Sequence, residues 1–302
     1  MVYTSLTEAP HNLKEGIDWL MALKGSCGES TLKAMAGAIH HLFSKHSDGY
    51  KQLPALEKMK SISREFLEKP ELRDNLFVKQ LLSRFYTPAS TANTGFKHLL
   101  ARYSEEYARV VGVKGARPEY IEESLRNVMD GFGKLLNDIK NPDKYKSAYS
   151  AEATWEASCA KDPEACAVVL VGMAPMLYAG MQSLSNAVFS KSGWWSTTVE
   201  YKAAGDVLRP LGYEESECRA GMNGSYIYET FKGLDADLFH KTYDLAGFDI
   251  FYGSDIVQKL PVKQPVVEEA LVAETAVDPV QAAKSAKTRK PGQSGRRRKA
   301  AE

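Results

Sequence analysis

The feature that most constrains this 302-residue chain is a long stretch without charge in its middle. No Asp, Glu, Lys or Arg occurs from Ala165 to Ser190, and most of these residues are apolar. A helix that is apolar on nearly every side has to be buried, either in a protein core or in a membrane. The interruptions at Gly172 and Pro175 favour a core. We therefore predict a central helix over Pro163–Val188 that bends at those two residues.

Two of the four cysteines flank the start of this predicted helix. Cys159 and Cys166 enclose a short loop that contains a proline, which lowers the entropic cost of closing it. Four cysteines allow three pairings. We expect Cys159–Cys166 and Cys27–Cys218 disulfides, with four reduced thiols as the alternative. A metal site is disfavoured, because no cysteine belongs to a C-x-x-C pair and no histidine lies at a ligand spacing from one.

The rest of the pattern predicts an all-α protein, a multi-helix bundle around the central helix. Asn12 stands where an N-cap belongs and Glu15 completes a capping box, so a helix should follow and end at Gly25. Apolar residues at helical spacing predict the other helices, and no segment alternates as a strand does. These helices are expected at Leu32–Lys45, Pro54–Leu67, Leu72–Tyr86, Phe96–Val111, Pro118–Ile139, Thr198–Leu208, Ile227–Lys232 and Ala236–Leu245.

Composition changes towards the C-terminus. We expect a helical domain at residues 1–253 and a disordered tail at 254–302, because the sequence from Pro261 is rich in Ala, Val, Pro and charge and has no aromatic residue. The tail is basic from Lys284 onward. Residues 284–302 carry a net charge of +7, which leaves −6 on the remainder of the chain. The basic residues are Lys284, Lys287, Arg289, Lys290, Arg296, Arg297, Arg298 and Lys299.

A basic tail on an acidic body has several interpretations. It is most simply a solvated end or an electrostatic tether, and contact with an anionic lipid surface, a nucleic acid or an import receptor is the alternative. The acidic body is a poor match for a nucleic-acid-binding surface, so we expect no specific nucleic acid as a partner.

The sequence contains no arrangement that is typical of catalysis or of a cofactor. We find no G-x-S-x-G, H-E-x-x-H or G-x-G-x-x-G motif. His40, His41 and His46 form the only histidine cluster, and their spacing does not place two of them on one helical face. We therefore expect no catalytic residue, no cofactor and no metal. Asn223 begins the one N-glycosylation triplet, which is a weak signal.

Four segments of the chain resemble one protein family. They read SLTEAPHNLKEGIDWLMALKG, KNPDKYKSAYSAEATWEASCAKDPEACAVVLVGMAPMLYAGMQSL, LGYEESECRAGMNGS and YDLAGFDIFYG. Together they are similar to the variant erythrocyte surface antigens of Babesia-type piroplasm parasites, and to the related secreted antigens of the same parasites. The resemblance spreads over most of residues 5–253 and is less distinctive in the connecting helices.

The resemblance implies a protein that is not an enzyme and that acts by protein–protein contact. Such antigens are exported into the infected red cell, displayed on its surface or secreted around it. They vary under immune pressure and help infected cells adhere to vessel walls. Many lack a recognisable signal peptide, and no basic start followed by an apolar run is visible here. The four cysteines fall in segments where these antigens carry cysteine, which favours disulfides.

The chain departs from this family at its C-terminal end. The large antigens end in a transmembrane helix with a short cytoplasmic tail, whereas this sequence runs into a charged, low-complexity segment. A short exported or secreted relative is therefore the better expectation, with a host or parasite protein at the infected red cell as its partner. One alternative is an intracellular helical scaffold or adaptor whose basic tail tethers it to anionic partners. Another is an enzyme without a familiar motif.

Overall fold

Helices form nearly all of the regular structure in the part of the chain that can be described. A computed structural model describes residues 2–25, 28–45, 53–86, 117–189, 208–222, 224–234 and 237–252. The helices are α1 (Leu13–Gly25), α2 (Glu29–Lys45), α3 (Pro54–Leu67), α4 (Pro70–Arg73), α5 (Leu76–Tyr86), α6 (Pro118–Ile139), α7 (Trp155–Ser158), α8 (Pro163–Phe189), α9 (Gly224–Lys232), α10 (Leu238–Leu245) and α11 (Phe248–Phe251). Within these ranges the only extended pairings are two isolated bridges. The predicted all-α fold is confirmed.

The start of α1 contains one of the two bonds of the predicted capping box, the one to the Asn12 side chain. The Glu15 amide donates to Asn12 Oδ1 at 3.0 Å, and the Asn12 side-chain amide donates to Glu15 Oε1 at 2.7 Å. The first bond occupies a backbone amide that the first turn of a helix would otherwise leave without a partner, and the second joins the two side chains. The helix therefore begins and ends where the sequence predicts, at Leu13 and Gly25.

Several helix boundaries differ from the prediction, and two of the differences have a clear cause in the hydrogen bonds. Helix α2 begins at Glu29, before the predicted Leu32, because the Gly28 carbonyl accepts from the amides of Thr31 and Leu32. The predicted helix over Leu72–Tyr86 is two helices, α4 and α5. They are separated at Asn75, whose backbone and side-chain amides both donate to the Leu72 carbonyl and close the turn.

Helix α8 is the centre of the fold. It runs from Pro163 to Phe189 through Pro175, so the predicted central helix is confirmed and extends one residue further than expected. Every residue from Cys166 to Met181 is buried except Tyr178, which is half-buried. Helices α1, α2, α3, α5, α9 and α10 all contact it. The bend expected at Gly172 and Pro175 stays a prediction.

The same helix is long and apolar enough to cross a membrane. Among the described residues this holds for one segment, Pro163–Asn186, and 83% of its most apolar window is buried inside the protein. A core helix of this composition passes the same test of length and hydropathy. Its burial by surrounding helices is what the sequence predicts for a core helix.

Small residues let neighbouring helices approach α8 closely. A Cβ added at Gly172 would lie 2.3 Å from Met59 Cβ of α3, and one added at Gly180 would lie 2.9 Å from Leu13 Cδ2 of α1. The Ser63 hydroxyl of α3 also donates to the Gly172 carbonyl at 2.5 Å. Since Pro175 has no N–H, the Val171 carbonyl loses its helical partner, and Ser63 binds the carbonyl next to it.

Helix α6 forms a second layer beside α1, α2 and α10. Its apolar residues recur at helical spacing, and the inward set predicted from the sequence is buried in full. That set is Ile121, Leu125, Val128, Phe132, Leu135, Leu136 and Ile139. The short helices predicted at Ile227–Lys232 and Ala236–Leu245 correspond to α9 and α10.

Several predictions fall outside the described residues. These are the helix at Phe96–Val111, the helix at Thr198–Leu208 apart from its last residue, and the tail at 254–302. The described residues all belong to one unit, Met1–Lys259. The domain boundary near residue 253 stays a prediction.

Replacing Gly172 with alanine tests the close approach of α3 to α8. The added Cβ overlaps Met59, so the two helices have to separate, and we expect the free energy of unfolding to fall by about 1–3 kcal/mol. The matched control is Gly37→Ala in the middle of α2, where an added Cβ meets nothing within 4 Å. That change should raise stability by about 0.5–1 kcal/mol, because alanine is the better helix former. Equal effects of both substitutions in urea unfolding would contradict the close packing.

Candidate functional site

The predicted Cys159–Cys166 disulfide is present. Cys159 follows α7 directly and Cys166 lies in the first turn of α8, with their Cα atoms 5.8 Å apart. Both residues are fully buried. The bond therefore fixes the loop that leads into the central helix.

The second predicted disulfide, Cys27–Cys218, is corrected by the structure. Cys218 is a free, buried thiol, and Cys27 lies outside the described residues. The backbone of Cys218 pairs with Lys140 at the end of α6. Its Sγ donates to the Glu214 carbonyl at 3.5 Å, so the thiol is directed into its own turn. Burial, together with the nearby Glu217 and Glu215 charges, raises the pKa of this thiol to about 11, which keeps it protonated and unreactive at neutral pH.

The N-terminal segment is fastened beside the disulfide. The Tyr3 amide donates to the Ala148 carbonyl at 2.8 Å, and the Ser150 amide donates to the Tyr3 carbonyl at 2.9 Å. The Leu6 amide donates to the hydroxyl of Ser158, the residue before Cys159. The Leu6 carbonyl accepts from the indole of Trp19, which is fully buried. Residues 2–8 are thus tied both to α1 and to the approach to the disulfide.

A group of buried polar side chains joins three distant parts of the chain, and we call it the polar core. Its members are Lys14 and Asp18 on α1, Tyr145 on the segment after α6, and Tyr213 and Glu217 on the turn before α9. All are buried except Tyr145, which is half-buried. No pair from different segments is near in sequence, so the polar core exists only in the folded chain.

Asp18 is the centre of the polar core. One carboxylate oxygen, Oδ1, accepts from the Tyr145 hydroxyl at 2.5 Å, and the other, Oδ2, accepts from the Ala148 amide at 2.8 Å. The Lys14 ammonium lies 3.5 Å from Oδ2. A carboxylate with these donors is well satisfied for a buried group.

Lys14 connects Asp18 to Glu217. Its Nζ donates to the Lys146 carbonyl at 2.7 Å and lies 3.5 Å from Glu217 Oε1. The ammonium also lies over the Tyr145 ring, 4.9 Å from its centroid. Glu217 in turn accepts from the amides of Lys146 and Glu214. Lys14 therefore holds the segment after α6 and the turn before α9 against α1.

Burial shifts the pKa values of the polar core upwards. Removal from water raises the pKa of Asp18, and this outweighs the donors around it, Tyr145, the Ala148 amide and Lys14. Burial and the nearby Asp18 charge raise the pKa of Tyr145 and Tyr213 well above the ordinary tyrosine value. The Tyr213 hydroxyl has no hydrogen-bond partner within the described structure.

A surface cavity lies at a different place, between α8 and α10. Its volume is about 400 Å³, and it is lined by Tyr178, Gln182, Phe239, His240 and Tyr243. The Tyr178 ring is nearly perpendicular to the Phe239 ring and tilted by 67° from the Tyr243 ring. No carboxylate, lysine or arginine is among the lining residues.

The histidines do not form a metal site in the described structure. His41 is exposed, with Nδ1 3.4 Å from Glu164 Oε2, and His46 lies outside the described residues. Within the described ranges no group of three His, Cys, Asp or Glu side chains could hold a metal ion. Asn223 and the eight basic tail residues also lie outside these ranges.

The sequence analysis missed the polar core. Lys14 and Asp18 are four residues apart, so they share one face of α1, and each directly follows an apolar position, Leu13 and Ile17, that is fully buried. From this spacing the sequence could have indicated that Lys14 and Asp18 form a buried pair. Nothing in the sequence connects this pair to Tyr145 or Glu217.

Comparison of the chain with protein-family models, with curated proteins and with solved structures found no match.

Removing the disulfide should lower stability without changing the fold. A bond that closes a loop with a sequence separation of 7 restricts the unfolded chain, so we expect the Cys159→Ala/Cys166→Ala variant to lose about 2.5 kcal/mol in urea unfolding. Reductant should lower the unfolding free energy of the unmodified protein by a comparable amount and leave the variant unchanged. Equal stability of the variant and the oxidised protein would contradict a contribution from this bond.

Two tyrosine substitutions test whether the hydrogen bond to Asp18 stabilises the fold, because one removes a hydroxyl that bonds to Asp18 and the other removes a buried hydroxyl without a partner. Tyr145→Phe removes a hydrogen bond to a buried carboxylate, and we expect a loss of about 1.5–3 kcal/mol in the free energy of unfolding. Tyr213→Phe removes a buried hydroxyl that has no partner, so stability should stay the same or rise slightly. Similar losses for both variants would show that the hydrogen bond to Asp18 is not what matters.

Proposed function

We propose that this chain is a non-enzymatic, helical antigen that a parasite exports to the infected red cell or secretes around it. It acts by protein–protein contact with a host or parasite protein, in adhesion or in immune evasion. The observation that carries the proposal is the buried Cys159–Cys166 disulfide. The resemblance to variant erythrocyte surface antigens supplies the biological setting.

The disulfide supports passage through an oxidising compartment. Structural disulfides form and persist in secreted and surface proteins, whereas cytosolic thiols are kept reduced. Cys159 and Cys166 are fully buried, which suits a structural bond better than a catalytic or regulatory one. The bond joins Cys159, just after α7, to Cys166 in the first turn of the central helix, so it holds these two helices together.

The ionisable groups with shifted pKa values lie away from the surface cavity, and this favours a binding protein over an enzyme. A catalytic site usually combines a cleft with ionisable groups whose pKa values are shifted. Here Asp18 and the tyrosines around it lie in the interior, and the described cavity is lined by aromatic side chains, an amide and an imidazole. The polar core is therefore better suited to holding the chain together than to acting on a substrate.

Exposed apolar side chains are the candidate contacts for a partner. Leu76 and Tyr86, at the two ends of α5, are 74% and 59% exposed. Tyr120 at the start of α6 and Tyr226 on α9 are also exposed. Tyrosine is enriched at protein interfaces because it offers a large apolar ring with a polar tip. In the proposed antigen these helix faces vary while the interior is kept.

The second candidate function is an intracellular adaptor. The free thiol of Cys218 favours it, because an unpaired cysteine is ordinary in a reducing compartment. In this role the basic tail from Lys284 would tether the acidic body to an anionic surface. Deleting residues 284–302 should then abolish salt-sensitive binding of the full chain to vesicles that contain phosphatidylserine. Equal binding with and without the tail would exclude the tether.

Localisation in infected red cells tests the main proposal. Antibodies raised against the full chain should label the red-cell compartment or surface when only the red-cell membrane is opened, or when no membrane is opened. An antibody to a parasite cytosolic enzyme, as the control, should label only after the parasite membrane is opened as well. If the chain is labelled together with this cytosolic marker, export is excluded and the adaptor is favoured.

A further inference from the structure

The polar core encloses more negative than positive charge. Asp18, which is 1% exposed, and the buried Glu217 share a single ammonium, that of Lys14. Asp18 Oδ2 and Glu217 Oε1 each lie 3.5 Å from Nζ, so these two oxygens are at most twice that distance apart. The shortest contact of Nζ, at 2.7 Å, is with the neutral Lys146 carbonyl. One cation at this range does not fully compensate two enclosed carboxylates.

We propose that the polar core is a proton-binding site that fastens α1, the segment after α6 and the turn before α9 to one another more tightly as the pH falls. One proton binds to the Asp18 carboxylate, and the enclosed group then contains one carboxylate and one ammonium. The groups near Asp18 are Lys14 from its own helix, Tyr145 and Tyr149 from the segment after α6, and Tyr213 from the turn before α9. Glu217 on the same turn contacts the Lys14 ammonium, and Cys218 lies near Glu217 and Lys14.

The hydrogen bonds of the polar core can accommodate this proton. Tyr145 donates to Asp18 in the charged state, and its hydroxyl oxygen can accept from a protonated carboxyl instead. Asp18 Oδ2 continues to accept from the Ala148 amide. The Tyr213 hydroxyl, which has no described partner, lies close enough to Asp18 and Glu217 for their charges to affect its pKa. The site therefore has donors and acceptors for both protonation states.

Whether stability rises or falls with pH follows from the direction in which burial shifts the pKa of Asp18. Its pKa is higher in the folded than in the unfolded chain, so the folded chain binds more protons between the two values. Stability contributed by this group is therefore gained as the pH falls towards the ordinary aspartate value of about 3.9, and lost as the pH rises through the raised pKa. This is opposite to the usual behaviour of a carboxylate in an ion pair.

The effect should be seen in local as well as in global unfolding. The polar core fastens three segments to one another, namely α1, the segment 140–150 and the turn at 213–218. A pH below the raised pKa of Asp18 should hold these segments together, and a pH above it should loosen them first. Hydrogen exchange of the Ala148 and Lys146 amides should report that loosening.

The test compares the pH dependence of urea unfolding in the full chain and in three variants. Asp18→Asn and Glu217→Gln each remove one enclosed negative charge, and Asp130→Asn is the control, because Asp130 is an exposed carboxylate paired with Lys24. Measurements run from about pH 4, near the pKa of an ordinary aspartate, to about pH 7. The folded-to-unfolded ratio of the unmodified chain, relative to Asp18→Asn, should rise up to about tenfold for each pH unit lowered.

Glu217→Gln should reduce this pH dependence, and Asp130→Asn should match the unmodified chain. Identical pH dependence in the unmodified chain, Asp18→Asn and Glu217→Gln would overturn the proposal. If Asp18→Asn does not fold, the carboxyl carbon of Asp18 can be titrated by NMR in the unmodified chain. A titration midpoint for Asp18 above that of an ordinary aspartate supports the proposal. A midpoint at or below the ordinary value refutes the proposal.

Discussion

Burial of helix α8 on every side is the constraint on which the rest of this structure depends. A helix with no charge over most of its length cannot face water, so its neighbours have to cover it, and from Cys166 to Met181 they leave only Tyr178 half-buried. They do so at short range, because Gly172 and Gly180 leave room for Met59 and Leu13. The bond from Ser63 to the Gly172 carbonyl satisfies a polar group in the region where Pro175 interrupts the helical bonding.

The start of α8 and the N-terminal half of the chain are held by polar and covalent bonds. The Cys159–Cys166 disulfide fixes the loop that enters α8, and the N-terminal segment is bonded to Ser158 next to it. Deeper in the fold, Asp18 and Lys14 tie α1 to the segment after α6. The exposed helix faces take no part in these bonds, which suits the variation that we propose for an antigen.

Local elements of the fold could be predicted from the sequence, and its long-range polar contacts could not. Helix α3 begins and ends as predicted, because Pro54 marks its first turn and its apolar residues recur at helical spacing. The capping box of α1 and the short-range disulfide depend on neighbours in sequence. The polar core joins residues more than a hundred positions apart, and the Cys218 thiol is directed into its own turn. Such contacts are set by the packing of whole helices.

The oxidation state of the cysteines in protein from its native source tests the central claim most directly. We would map peptides by mass spectrometry without reduction, after blocking free thiols. The account predicts that Cys159 is linked to Cys166 and that Cys218 is recovered as a blocked free thiol. Recovery of Cys159 and Cys166 as free thiols would contradict an oxidising route, and with it the proposal of an exported antigen.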